Sequence, residues 1–278
     1  MKITPHEPDH SVNAKPYSQI IEFGWLTAAF ITAGFAIYGI LGLVVDQIAS
    51  WIPQRYEAKI FPRAASQIFA STGDAHKKDT RLQALLERLV AASSRIELPL
   101  YARTLDSDQP NAFALPGGGI FVSTGLLRSS ESENEVAMVV AHEMGHFVHR
   151  HHLRGLGRGI LWAVLSALVG GSSDDLSLFN ASLSLSHLGH SRKQEEDADA
   201  FALELVNLTY GHVNGAARFF ERMTAEDPSL AAAQYFSTHP LSRERVDRLH
   251  ALATEKGFKV DGPLTPYSFV AENSTSEP

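Results

Sequence analysis

The segment His142-Glu143-Met144-Gly145-His146 sets two imidazoles four residues apart, with a carboxylate directly after the first. On a helix, positions i and i+4 lie one turn apart on the same face, so both rings can reach one ion. Imidazole nitrogens bind zinc at about 2.0–2.1 Å, which suits that spacing. Glu143 is offset by about 100° from His142, given 3.6 residues per turn. It is poorly placed as a third ligand and well placed to hold a metal-bound water and take its proton.

A hydrolytic zinc centre needs three protein ligands and one open position. The downstream run Ser191-Arg192-Lys193-Gln194-Glu195-Glu196-Asp197-Ala198-Asp199 offers the third. Glu195 and Asp199 point the same way from one helix, so Glu195 can bind the metal while Asp199 accepts a hydrogen bond from the far nitrogen of a ligating histidine. Glu196 is the rival ligand, but it leaves Asp199 three residues away and rotated further round. In Ser237-Thr238-His239-Pro240 the proline restricts the preceding histidine, whose ring can reach the metal or a developing oxyanion. Ala231-Ala232-Ala233 precedes it, a small-residue stretch suited to a moving loop. An extended peptide also needs a sheet edge to lie against. The segment 111–122, Asn-Ala-Phe-Ala-Leu-Pro-Gly-Gly-Gly-Ile-Phe-Val, supplies one candidate. Gly117, Gly118 and Gly119 permit close backbone approach, and Ile120 and Phe121 extend the expected substrate strand.

These residues need elements to position them. Ser132 and Glu135 form a Ser-x-x-Glu capping pattern, predicting a long helix from near Ser130 or Ser132 to about His152. Leu82, Leu85, Leu86 and Leu89 recur at helical spacing within Thr80 to Ala92. Pro99 to Leu105, Asn111 to Leu115 and Ile120 to Ser123 read as short strands, with a turn at Pro116 to Gly119. Further helices are expected over Arg192 to Asn207 and Ser242 to Glu255. The fold class is α+β, mostly helical, with a small active-site sheet.

Phe23 to Val45 runs 23 positions without a charge, bracketed by Glu22 and Asp46. A helix of that length covers about 34 Å, enough for a hydrocarbon core of about 30 Å. It exceeds the 7–15 residues or so of a signal-peptide core, and no Ala-x-Ala site follows, so an uncleaved transmembrane anchor is expected. The expected organisation is a polar tail at 1–22, the anchor at 23–45, a juxtamembrane linker at 46–78, a catalytic domain at 79–256 and a polar tail at 257–278. A second apolar stretch, Ile160 to Val169, is too short to span and reads as a buried or membrane-skimming helix. The charge balance is 24 − 31 = −7, which argues against a nucleic-acid partner. Cysteine is absent, which excludes disulfides and thiolate ligands, whereas histidine occurs 13 times.

Taken in order, Asn-Ala-Phe…Pro-Gly-Gly, His-Glu-x-Gly-His, Arg-His, Ser-Arg-x-x-Glu-x-x-Ala-Asp, Thr-His-Pro and Glu-Arg resemble the membrane-associated gluzincin peptidases. That family includes HtpX, the CAAX prenyl protease and the outer-membrane-assembly metalloproteases. The resemblance covers residues 95 to 250. It implies a zincin-type endopeptidase holding one Zn2+ per chain, with His142, His146 and Glu195 as ligands and Glu143 as base. It also implies Asp199 supporting a ligand and His239 near the metal. Protein or peptide substrates and a bilayer engaged through residues 23–45 follow from it. The single span looks more like the single-anchor members, whose catalytic domains face away from the cytoplasm, and disfavours prenylated substrates. The alternative is a non-catalytic membrane-anchored binding or chaperone-like protein retaining a structural zinc. Glu143 argues against it, because a structural site has no use for a base.

Overall fold

The computed structural model describes residues 19–61, 76–97, 99–168, 190–225, 239 and 242–267. Most of the expected N-terminal tail, the Ala231–Ala233 stretch and the last residues of the C-terminal tail lie outside them. The chain divides into two compact units, one ending at Val44 and one beginning at Val45. The first unit is the start of α1 (Gln19–Trp51), a 33-residue helix long and apolar enough to cross a membrane. Its side chains find little cover within the protein, and Phe23, Trp25, Phe30 and Phe35 are 71–75% exposed.

The second unit contains, in order, the end of α1, α2 (Gln54–Ile60), β1 (His76–Lys77), α3 (Thr80–Ala92), β2 (Tyr101–Leu105), β3 (Ala112–Leu115), β4 (Gly119–Ser123), α4 (Thr124–Ser129), α5 (Glu133–Val148), α6 (His151–Leu168), α7 (Arg192–Tyr210), α8 (Arg218–Ala225) and α9 (Arg243–Glu255). The sheet order is β1-β2-β4-β3, with β2 and β4 parallel and the other two pairs antiparallel. This arrangement corrects the expected substrate strand. β4 is central, and Ile120 and Phe121 are fully buried with partners on both neighbouring strands. Gly119 pairs with Tyr101 and Leu115, and the Gly118 carbonyl accepts from Tyr101 N at 3.0 Å. Gly117 N donates to Glu57 Oε1 at 3.1 Å. The terminal strand of the sheet on this side, among the described residues, is β3.

Sequence chemistry accounts for the helices. Asp79 caps α3 by accepting from Arg81 N and Leu82 N, and the four leucines on one face of α3 are buried. Each such leucine contributes about 1.5–3 kcal/mol relative to exposure. Ser191 and Gln194 form a capping box at the start of α7, and Gly211 ends it in the left-handed conformation. α5 lies at the centre, buried from Asn134 to Phe147 between the sheet and α7. The two helices touch at Gly145 and Ala198.

Several boundaries differ from expectation. The helix carrying the histidine pair ends at Val148 rather than near His152, because Arg150 takes a left-handed φ of 62° and α6 starts afresh at His151. Ser132 precedes α5, but its hydroxyl donates to Glu135 Oε1 instead of accepting from the backbone. Glu135 itself is drawn to Glu131 N and Arg222. The supposed linker holds the end of α1 and α2, whose Glu57 is fully buried. Residues 258–267 are packed rather than frayed: Glu133 N donates to Thr265 O, Val213 N to Lys259 O, and Phe258 and Tyr267 pack on the core. The apolar stretch from Ile160 forms the second half of α6 and is not buried as a whole. Ile160, Trp162 and Val164 are 46–50% exposed.

The contact between α5 and α7 yields a prediction. A Cβ at position 145 would sit 2.8 Å from Ala198 Cα and 2.9 Å from its carbonyl oxygen, both backbone atoms. Overpacking of this kind costs about 1–3 kcal/mol, against a helix-propensity gain of up to about 1 kcal/mol for alanine over glycine. Gly145→Ala should therefore lower the urea midpoint of the metal-free protein and weaken metal binding in parallel.

Candidate metal centre

Close approach of α5 and α7 brings three donor groups to one point, and His239, from ahead of α9, adds a fourth. His142 Nε2 and His146 Nε2, from successive turns of α5, are 3.0 Å apart. Glu195, on the facing turn of α7, places Oε1 3.3 Å from His146 Nε2 and Oε2 3.4 Å from His142 Nε2. His239 Nδ1 lies 3.2 Å from His142 Nε2 and 3.1 Å from Glu195 Oε1. All four side chains are buried. A tetrahedral ion with bonds of about 2.0–2.1 Å has donor–donor edges of about 3.3–3.4 Å. The spacing therefore fits one small tetrahedral cation, with His239 as the fourth donor.

The remaining nitrogens are held from behind. His142 Nδ1 donates to Asp199 Oδ1 at 2.8 Å. His146 Nδ1 lies 2.9 Å from His151 Nδ1, and the His190 ring stacks on His146 with centroids 3.9 Å apart. Arg245, itself 1% exposed, grips Asp199 with Nε at 2.8 Å and Nη2 at 2.7 Å. Its Nη1 lies 2.9 Å from Glu195 Oε2, and its guanidinium stacks over Phe220. Glu143 stands beside the four donors, 2% exposed, with Oε1 unbonded and 3.5 Å from His239 Nε2.

Charge bookkeeping agrees with this fit. Glu195 and Asp199 pair with Arg245 and Glu143 is a third buried carboxylate beside them, so the cluster favours a cation. Burial raises the Glu143 carboxyl above its usual range, as expected for a base that must accept a proton. Burial opposes ionisation of Glu195 too, yet His142, His146 and His239 hold it well below its usual range. Burial likewise disfavours a charged His142, but the charge of Glu195 and the hydrogen bonds to Asp199 and Glu195 together outweigh it and raise His142 to about 9. Burial keeps His146 neutral.

The sequence model of peptidase family M48 matches residues 76–253, which include every one of these donors. The chain belongs to peptidase family M48. It is 29% identical over 251 residues to the mitochondrial metalloendopeptidase OMA1 of Schizosaccharomyces pombe, covering 85% of this chain and 74% of that protein. Identity is 34% over 172 residues to the OMA1 of Arabidopsis thaliana, covering 61% of this chain and 33% of the relative. For the putative beta-barrel assembly-enhancing protease of Vibrio cholerae it is 27%, covering 57% of this chain and 36% of the relative. The chain thus spans about a third of the latter two relatives. As an M48 member it is a metallopeptidase, and His142, His146, Glu195 and His239 form a group whose spacing could hold its metal.

Sequence reasoning placed His142, Glu143, His146, Glu195, Asp199 and His239, and the M48 fold brings all six together. Glu196 points outward, with a side chain 43% exposed and 3.8 Å from Arg248. Arg245 and His151 entered only as parts of the Glu-Arg and Arg-His motifs, without a role, and His190 was missed. Arg245 had a readable signal: it shares one helical stripe with Leu249 and Ala253, both buried, where a lone arginine requires a buried anionic partner.

Two outcomes follow. Glu195→Ala should abolish stoichiometric metal binding, measured by elemental analysis, while Glu196→Ala should leave it intact. Metal must also displace the proton that His142 holds up to a pH of about 9. Below that pH, apparent affinity should rise about tenfold per unit and then level off, with one proton released per ion. Calorimetry in buffers of different ionisation enthalpy measures that proton directly.

Proposed function

We propose that this chain is a membrane-anchored zinc endopeptidase, acting on protein substrates in membrane or envelope protein quality control. The reading rests on one observation: Glu143 offers a buried carboxylate oxygen that accepts no hydrogen bond, beside four donors spaced for a tetrahedral ion. Zinc is the proposed metal, one per chain at this site, because two or three imidazoles and a carboxylate in tetrahedral spacing suit it. Residues 23–45 are proposed as the anchor, supported by the exposed apolar surface of α1, with the peptidase domain at 79–256 on the extracytoplasmic side. The names of the relatives, one mitochondrial and one concerned with beta-barrel assembly, support a role at a membrane.

Bound zinc would supply Lewis acidity and lower the pKa of a coordinated water. The chain's own residues do the rest. Glu143 takes the water's proton at its free oxygen and returns it to the leaving amine. Asp199 and Arg245 hold His142 and Glu195 in place. β3, the terminal strand of the sheet beside α5, is the backbone proposed to pair with an extended substrate. β3 takes the role first expected of Gly117 to Phe121.

Glu143→Gln should keep the fold and the bound metal but lower peptide hydrolysis by about 10²–10⁴, the usual contribution of a general base. Hydrolysis near the wild-type rate in that variant would refute the mechanism.

His239 is proposed to fill the fourth position in the resting enzyme and to move off when substrate binds, where its ring can face the developing oxyanion. His239→Ala should increase inactivation by a small chelator. If the ring acts solely as a transition-state donor, chelator access stays unchanged and the rate falls by about 10²–10³.

A further inference from the structure

A second group of metal-binding side chains stands beside the first. His149, His151 and Asp197 place two imidazole nitrogens and a carboxylate oxygen within 4.8 Å of one another. They come from the residue after α5, the first residue of α6 and the second turn of α7. None is among the four donors of the catalytic set. Two imidazoles and one carboxylate form a donor set suited to zinc, cobalt or nickel. His151 is buried and fixed, whereas His149 and Asp197 are partly exposed, so an ion can enter from solvent.

Two cations touch the group, and a third, Arg154, acts on both of its imidazoles. Lys193 Nζ lies 2.8 Å from Asp197 Oδ1, and Arg95 Nη2 lies 3.5 Å from His149 Nε2. Both side chains belong to exposed residues, and surface pairs of this type hold weakly. They lower the affinity of the group for a cation without closing it.

The two sets share His151. With Nε2 facing the catalytic set, a neutral His146 carries its proton on Nδ1 and donates it to His151 Nδ1 at 2.9 Å. A neutral imidazole has a single ring lone pair, and His151 spends it on that bond. A cation at the outer set needs the same lone pair. We propose that His149, His151 and Asp197 form a second, weaker site for a divalent transition metal, and that filling it removes the acceptor that orients His146. The outer site is therefore inhibitory: excess of the resident metal acts on the enzyme through His151. This rests on the reading of His146 as a ligand of the catalytic metal.

The test titrates the full-length, metal-free protein in detergent with Co2+ and follows equivalents bound by calorimetry and by visible absorption. Two classes of site are expected, one tight and one weaker. His149→Ala and Asp197→Asn should each remove the weaker class and retain the tight one, and Lys193→Ala should tighten the weaker class several-fold. With Zn2+, wild-type peptide hydrolysis should fall about 10–100-fold over the range in which the second equivalent binds, the scale set by losing a ligand's hydrogen-bond partner. The His149→Ala enzyme should stay active over that range. A single equivalent in the wild type, or a second that survives in the His149→Ala/Asp197→Asn double variant, overturns the outer site. Inhibition that is equal in wild type and His149→Ala overturns its coupling to His146. Failure to bind even the first equivalent overturns instead the catalytic-metal reading.

Discussion

Everything at the centre depends on how closely two helices approach. Gly145 on α5 lies against the backbone of Ala198 on α7, and that contact sets the height at which Glu195 meets the two imidazoles. His142 and His146 are fixed to each other by helical geometry alone, since successive turns present them on one face. Glu195 belongs to another element, and an added methyl group would force the helices apart by several tenths of an ångström. Metal centres tolerate little error of that size, because bond lengths vary by only about 0.2 Å. Small residues at the crossing are therefore part of the site, although neither touches the ion.

The same approach creates an electrostatic problem. Charged groups are taken out of water at considerable cost, and they persist only where paired. Arg245 resolves most of it by contacting Asp199 through two nitrogens and Glu195 through a third. The guanidinium fork suits this task because it is planar and permanently charged. Glu143 is left without such a partner, and burial raises its proton affinity. Two carboxylates, Asp199 and Glu195, are thus paired and fixed by Arg245, while Glu143, which it does not contact, stays available for proton transfer.

Another buried carboxylate ties the centre to α2. Glu57 on α2 pairs with Arg150 at 2.6 Å and His152 at 2.7 Å, and accepts from Gly117 N in the β3–β4 turn. Arg150 also donates to the Ile52 carbonyl. A left-handed, non-glycine residue is uncommon and carries a conformational cost. Here the ion pair holds Arg150 in that state, and the resulting reversal brings His151 behind His146. The segment just after α1 is in this way coupled to the orientation of a metal donor.

Local rules made much of the protein legible before its structure. The i, i+4 spacing of His142 with His146, and of Glu195 with Asp199, depends on helix geometry alone, so it could be read without knowing what surrounds each helix. The same holds for the apolar run in α1 and the leucine face of α3. Tertiary structure decided the rest. The residues of β4 read as a plausible substrate strand, but sheet order buried them and left β3 at the edge, and strand order is a non-local property. Arg150 ends α5 early because of Glu57, which is 93 residues away in sequence. Arg245 and His151 acquire their roles from partners on other elements. Periodicity and spacing report which way a side chain points from its own backbone, whereas burial, pairing and edge position depend on which distant segment the chain folds against it.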